Sequence, residues 1–223
     1  MQQYRQTNSF HLFPTSLVRS SDTHDTSPSI WAQLSHVERS ILPVIIASTR
    51  QNFAILGEDR ISALAGVSRR SVKSATDRLA SLGLISISRH TSPRMRDIKG
   101  YTTSLDQNSR SIAIYGNFIY SGLWAKLGKS SPSSQAVYIA MRCLADLRPD
   151  LDNDGTWPQT QALLNEYILT RERDFCLAPM TRIARFSGVS RKSCFTAINT
   201  LIDYQILGRL DYGYSVVIDP IGV

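Results

Sequence analysis

From residue 60 to residue 85 the chain reads RISALAGVSRRSVKSATDRLASLGLI, and its apolar positions recur at steps of three and four. That spacing predicts a short helix over 60–65 and a longer one over 69–82, separated by Gly66-Val67. Gly66 suits a turn because it tolerates a positive φ, Ser68 can cap the second helix, and Gly83 can close it. Along the second helix Val72, Ala75, Leu79 and Leu82 share one face. Arg69, Arg70, Lys73, Ser74, Asp77 and Arg78 fall mostly outside it. A helix buried on one side and basic on the other suits the major groove of DNA.

The pattern occurs twice. Residues 182–207, RIARFSGVSRKSCFTAINTLIDYQIL, align with 60–85 without gaps at an offset of 122, and 9 of 26 positions are identical. Gly66-Val67-Ser68-Arg69 returns intact as Gly188-Val189-Ser190-Arg191. An internal repeat of one motif outweighs a single match. The competing reading is a pair of helical hairpins that only pack.

Polar and apolar positions elsewhere extend the duplication. Residues 10–18, FHLFPTSLV, are apolar and interrupted by Pro14, which suits a strand or extended arm at a domain edge, and 19–29 read as loop. Ile30-Trp31-Ala32-Gln33-Leu34 is echoed by Leu123-Trp124-Ala125-Lys126-Leu127. Ser35 with Glu38 forms a capping box ahead of a helix over 36–49, where Pro43 should kink or break it. A loop runs through Gly57. Residues 84–89 alternate as a strand, 101–105 can pair with them, and 90–100 form a loop bearing Arg94, Arg96 and Lys99. A basic hairpin loop after such a helix can touch phosphate or the minor groove; an ordinary solvated tip is the plainer alternative. In the second copy 112–120 read as strand and 134–147 as the first helix, and a short hairpin without a basic tip spans 207–210 and 214–218. The spacing from the Trp to the repeat is 30 residues in one copy (31 to 61) and 59 in the other (124 to 183). The extra residues hold an acidic loop over 146–155, read as a solvated turn because no calcium-loop glutamate follows, and a helix near 159–170.

The expected fold is therefore mainly α with small β-hairpins (α+β), as two tandem winged helix-turn-helix domains. Residues 1–29 form an arm and loop, 30–105 the first domain, 106–111 a linker, and 112–223 the second, with an insertion over about 146–175. Charge changes the picture only in the first half. Of a net +7, residues 1–110 hold 14 Lys+Arg against 8 Asp+Glu, and residues 111–223 hold 11 against 10. The footprint for a polyanion lies where the basic helix is.

Cys143, Cys176 and Cys194 are far apart, which suits reduced thiols in a cytoplasmic protein and not a disulfide frame. No apolar run approaches a membrane span. Enzyme chemistry lacks parts: there is no glycine-rich phosphate loop, no nucleophile elbow and no His/Cys set at metal spacing, and His11, His24, His36 and His90 are isolated. No catalytic residue, metal or cofactor is expected. The candidate DNA contacts are Ser68, Arg69, Arg70, Ser71, Lys73, Ser74, Asp77, Arg78, Arg94, Arg96 and Lys99 in the first copy. In the second they are Ser190, Arg191, Lys192, Phe195, Thr196 and Asn199. Arg or Lys can bond guanine, Asn199 can pair with adenine, and Phe195 can pack on a thymine methyl or face a protein partner.

With these residues in view, the chain resembles tandem winged-helix proteins of mobile elements, closest in pattern to plasmid and phage replication initiators and related regulators. The Leu-Trp-Ala-x-Leu element, the Gly-Val-Ser-Arg turn and the helix after it carry the resemblance. It implies binding to repeated double-stranded sites in a replication origin as a monomer, with a homodimer as the inactive or autorepressing form. A transcriptional regulator with the same contacts is the alternative, and a module recruiting replisome or transcription proteins is another. The chain departs from the pattern in its short, unbasic second wing and its 29-residue insertion, so whether the second domain contacts DNA stays open.

Overall fold

Ser35 and Glu38 start the first central helix by exchanging hydrogen bonds. The Glu38 amide donates to Ser35 Oγ at 3.3 Å, and the Ser35 amide donates to a Glu38 carboxylate oxygen at 2.7 Å. This is the predicted capping box, and it opens α2 (His36–Ser48) after the single-turn α1 (Ile30–Gln33). The predicted break at Pro43 does not occur; α2 runs through it. A proline costs about 3 kcal/mol inside a helix, but Ile41, Leu42, Val44, Ile45 and Ile46 around it are all buried. At about 1.5–3 kcal/mol for each large side chain, that burial outweighs the local penalty.

The protein is described by a computed structural model over residues 10–19, 28–50, 52–92, 95–105, 110–145, 173–211 and 213–218. The expected features at 1–9, 20–27, 106–109 and 146–172, including the acidic loop and the helix near 159–170, lie outside the described residues.

The architecture is mixed α and β with small antiparallel sheets. β1 (Phe10–Pro14) pairs with β5 (Ser111–Tyr115), Phe10 opposite Tyr115 and Pro14 opposite Ser111. In the first half β2 (Phe53–Leu56), α3 (Glu58–Ala65), α4 (Arg69–Ser81), β3 (Ile85–Ser92) and β4 (Met95–Thr103) follow α2. Their strands lie in the order β2-β4-β3. In the second half come α5 (Gly116–Tyr120), α6 (Leu123–Ser130), α7 (Ser134–Ala145), β6 (Arg173–Cys176), α8 (Met180–Ser187), α9 (Arg191–Asp203), β7 (Leu207–Leu210) and β8 (Gly213–Val217). Their strands take the matching order β6-β8-β7.

Several expectations need correction. Residues 90–100 are no loop: β3 continues to Ser92 and β4 begins at Met95, so the ladder extends almost to the tip. Alternation of the visible pattern fades there, yet backbone pairing persists across a bulge between His90 and Ser92. Residues 112–120 are not one strand; β5 stops at Tyr115 and α5 follows, burying Phe118 and Ile119. The loop expected before Gly57 contains β2, and residues 173–176, assigned to the insertion, form β6. Four residues are too few to show a period, so only pairing with β4 and β8 reveals these strands.

The two halves share one hydrophobic core, centred on α2 and α7. Residues 134–144 of α7 are all buried, as expected for a helix enclosed on nearly every side. Buried Arg142 pairs with Asp174 on β6 at 2.6 Å and donates to Tyr138 Oη at 3.1 Å.

Matched residues lock the halves together. Trp31 Nε1 donates to the Ala136 carbonyl of α7 at 3.4 Å, and Trp124 Nε1 donates to the Ser40 carbonyl of α2 at 2.9 Å. Those acceptors lie five residues beyond Ser35, which caps α2, and five beyond Ser131, which closes α6 ahead of α7. One residue earlier, Arg39 donates to the Ser187 carbonyl at the end of α8. Its counterpart Gln135 donates to the Ala65 carbonyl at the end of α3, at 3.3 Å. Each half thus ties down the helix–turn–helix of the other.

Candidate nucleic-acid interface

The turn after α3 needs Gly66 twice over. Its φ is +73°, and an added Cβ would stand 2.6 Å from the Ala125 carbonyl oxygen of α6. Gly188 repeats this after α8, with φ +65° and an even closer approach to the Ala32 carbonyl of α1. The Trp-Ala element of each half therefore sits against the turn of the other. No side chain fits between them.

Serine caps set the start of both following helices. The Ser71 amide donates to Ser68 Oγ at 3.2 Å, and the Ser193 amide donates to Ser190 Oγ at 3.1 Å. Ser68 and Ser71 also bond through their hydroxyls at 2.7 Å. α4 buries Val72, Ala75, Thr76 and Leu79. Arg70, Lys73, Ser74, Asp77 and Arg78 are exposed, so the expected reading face points outward. Leu82 does not join the apolar face; it is 41% exposed. α4 ends at Ser81, the chain turns at Gly83, and the Leu84 amide bonds the Leu79 carbonyl at 3.1 Å. That closure delivers Leu84 to the core in place of Leu82.

α9 closes in the same way, with the Ile206 amide donating to the Leu201 carbonyl at 2.9 Å. Here Gln205 occupies the left-handed position, at φ +60°. A side chain there costs about 1–2 kcal/mol, partly offset by the freer unfolded chain of a glycine variant. Gln205→Gly is expected to raise stability by about 0.5–1 kcal/mol, measured by urea unfolding. A loss of stability would show that the Gln205 side chain contributes more than its backbone costs.

Electrostatics distinguish the basic residues. Arg69, at the start of α4, lies 3.3 Å from Asp59 and 3.8 Å from Glu58. Lys99 is on β4, where it pairs with Glu58 at 3.0 Å. Glu58 thereby joins the hairpin to the start of α4. Arg94 lies outside the described residues, as does the side chain of Arg96. Arg70, Lys73 and Arg78 remain as the exposed cations of the α4 face.

On α9 the buried side is Cys194, Ala197, Ile198 and Leu201. Arg191, Lys192, Phe195 and Thr196 are exposed, with Phe195 at 50%, and Asn199 is half-buried. Arg209 on β7, absent from the sequence-based set, donates to Asn199 Oδ1 at 3.4 Å. The antiparallel hairpin carries it to α9 across a gap of 10 residues, which no helical spacing reveals. An amide so held keeps its NH2 available and one oxygen lone pair open, the pair of groups that adenine recognition uses.

Among the described residues, no set of three His, Cys, Asp or Glu side chains could hold a metal ion. Cys143, Cys176 and Cys194 are buried and outside any disulfide, and burial pushes the Cys176 and Cys194 thiols up to about 11. Such thiols are poor nucleophiles at neutral pH. No helix among the described residues is long and apolar enough to cross a membrane. No protein-family model, curated protein or solved structure matches this chain.

Proposed function

We propose that the protein binds double-stranded DNA sequence-specifically through two winged helix-turn-helix units. One observation carries this reading: α4 buries Val72, Ala75 and Leu79 while presenting Arg70, Lys73, Ser74 and Asp77 to solvent, directly before an antiparallel hairpin. A helix of this kind fits the major groove, its polar side chains meeting base edges and its start meeting phosphate. The unequal charge of the two halves supports stronger phosphate attraction at the first unit. The resemblance to mobile-element initiators makes origin binding the biological use we favour; a transcriptional regulator would use the same contacts.

Selection of bound duplexes from a random pool at near-physiological salt tests the reading. Enrichment of a defined sequence supports it, because nonspecific phosphate binding falls steeply with salt. Recovery of a random population would sink it.

Exposed Phe195 favours a second reading, in which α9 engages a protein of the replication or transcription machinery. Phe195→Ala with Asn199→Ala is expected to weaken binding of the selected duplex by at least about tenfold if α9 reads bases. Unchanged affinity and footprint would transfer α9 to the protein-partner role.

A further inference from the structure

Two of the cations expected to meet DNA already have carboxylate partners. Arg69 Nε lies 3.3 Å from Asp59 Oδ1 and 3.8 Å from Glu58 Oε2, and Lys99 Nζ lies 3.0 Å from Glu58 Oε1. Glu58 is the shared member; its side chain is 23% exposed, and that of Lys99 is 22% exposed. Partly buried pairs are screened by salt less than pairs in open solvent. Two cations face two carboxylates, so the cluster carries no net charge at neutral pH. While the pairs hold, the start of α4 and the facing part of β4 offer phosphate little attraction.

The repeat shows that the turn does not require these carboxylates. At the offset of 122, Met180 and Thr181 stand where Glu58 and Asp59 do, and the first turn of α8 holds no acidic residue. The rest is retained. Gly188 turns at φ +65° where Gly66 turns at +73°. Ser190 caps α9 as Ser68 caps α4, and Arg191 follows as Arg69 does. Formation of the turn therefore leaves Glu58 and Asp59 unexplained.

Resting on the DNA-binding function proposed above, we infer that Glu58 and Asp59 are built-in counter-charges that withhold Arg69 and Lys99 from DNA phosphate. They weaken the hold of the first unit on DNA of any sequence and make it less sensitive to salt. A carboxylate competes with phosphate for the same guanidinium or ammonium protons. Phosphate contacts carry no sequence information, so the effect falls on every duplex alike. Arg70 and Lys73 lie outside the cluster and are exposed, so base contact on α4 is left to them.

The test removes the charge of the carboxylates and keeps their shape, using Glu58→Gln with Asp59→Asn in the full chain, and Asp59→Asn alone. Titrations at several salt concentrations use the duplex selected by the natural chain and an unrelated duplex of equal length. The double variant is expected to bind both duplexes about three- to tenfold more tightly near physiological salt. Its slope of log affinity against log salt should be steeper by about 1–2. The Asp59 side chain is 77% exposed, so its change leaves packing undisturbed. Asp59→Asn alone should bind about twofold more tightly. Partial unfolding only weakens binding, so a gain cannot arise from a damaged fold. In a chain that also carries Arg69→Gln and Lys99→Gln, the same carboxylate changes should alter affinity by less than about twofold.

Unchanged or weaker binding by the Asp59→Asn chain, a gain confined to the selected duplex, or a gain that survives loss of both cations would each overturn the inference while leaving DNA reading intact. Failure of the natural chain to enrich any sequence would instead overturn the DNA reading on which the inference stands.

Discussion

Gly188→Ala is expected to lower unfolding stability by about 2–5 kcal/mol, a large share of the stability of a small domain. Two costs combine. A left-handed φ of +65° penalises any side chain by about 1–2 kcal/mol. The new methyl must also displace the backbone of Ala32, and overpacking of this kind adds about 1–3 kcal/mol. Backbone cannot swing aside as the end of a flexible side chain can. Moving Ala32 would also disturb Trp31, which is fully buried and bonded to Ala136. Gly66→Ala should behave alike, because its methyl would meet Ala125. Gly83→Ala is the control: φ is +70°, but nothing lies within 4 Å of the added carbon. Its loss should stay at about 1–2 kcal/mol. Urea unfolding of the three variants measures the difference. Equal losses would show that the close approach between halves contributes nothing beyond backbone conformation.

Arg70→Ala combined with Lys73→Ala is expected to weaken binding of the selected duplex by about 2–4 kcal/mol, roughly thirty- to a thousandfold. Both side chains are exposed on the outer face of α4, so stability should change by less than about 0.5 kcal/mol. The loss therefore reports on binding. If one cation meets a base and the other a phosphate, the slope of log affinity against log salt should shrink by about 1. Titrations at several salt concentrations read both quantities. Affinity that survives the double change would remove α4 from the reading role. Arg69 makes a useful contrast, because Asp59 and Glu58 already neutralise part of its charge.

Much of the local structure was legible because its causes are local. Ser35 with Glu38, Ser68, Ser190 and Gly66 announce helix starts and turns through groups at most a few residues away. The outward faces of α4 and α9 follow from the period of 3.6, since a buried stripe leaves the rest to solvent. Leu82 departs from the periodic expectation for a definable reason: α4 ends one residue before it, at Ser81, and the chain then turns at Gly83. Pro43 does not end α2, because the burial around it outweighs a local penalty.

The sequence by itself determined the duplicated turn, the caps and the polar outward faces, because each depends on neighbours within one or two helical turns. It also determined that Gly66 and Gly188 precede matching helices, though a positive φ alone would explain both. Only the tertiary structure decided that the Trp-Ala elements cross between halves, that Lys99 is held by Glu58, and that Arg209 reaches Asn199. Those contacts join residues distant along the chain, and no period or spacing encodes which distant group fills a given gap. Packing chose the partners: a carbonyl lies where each glycine lacks a side chain, and each indole finds an acceptor across the core.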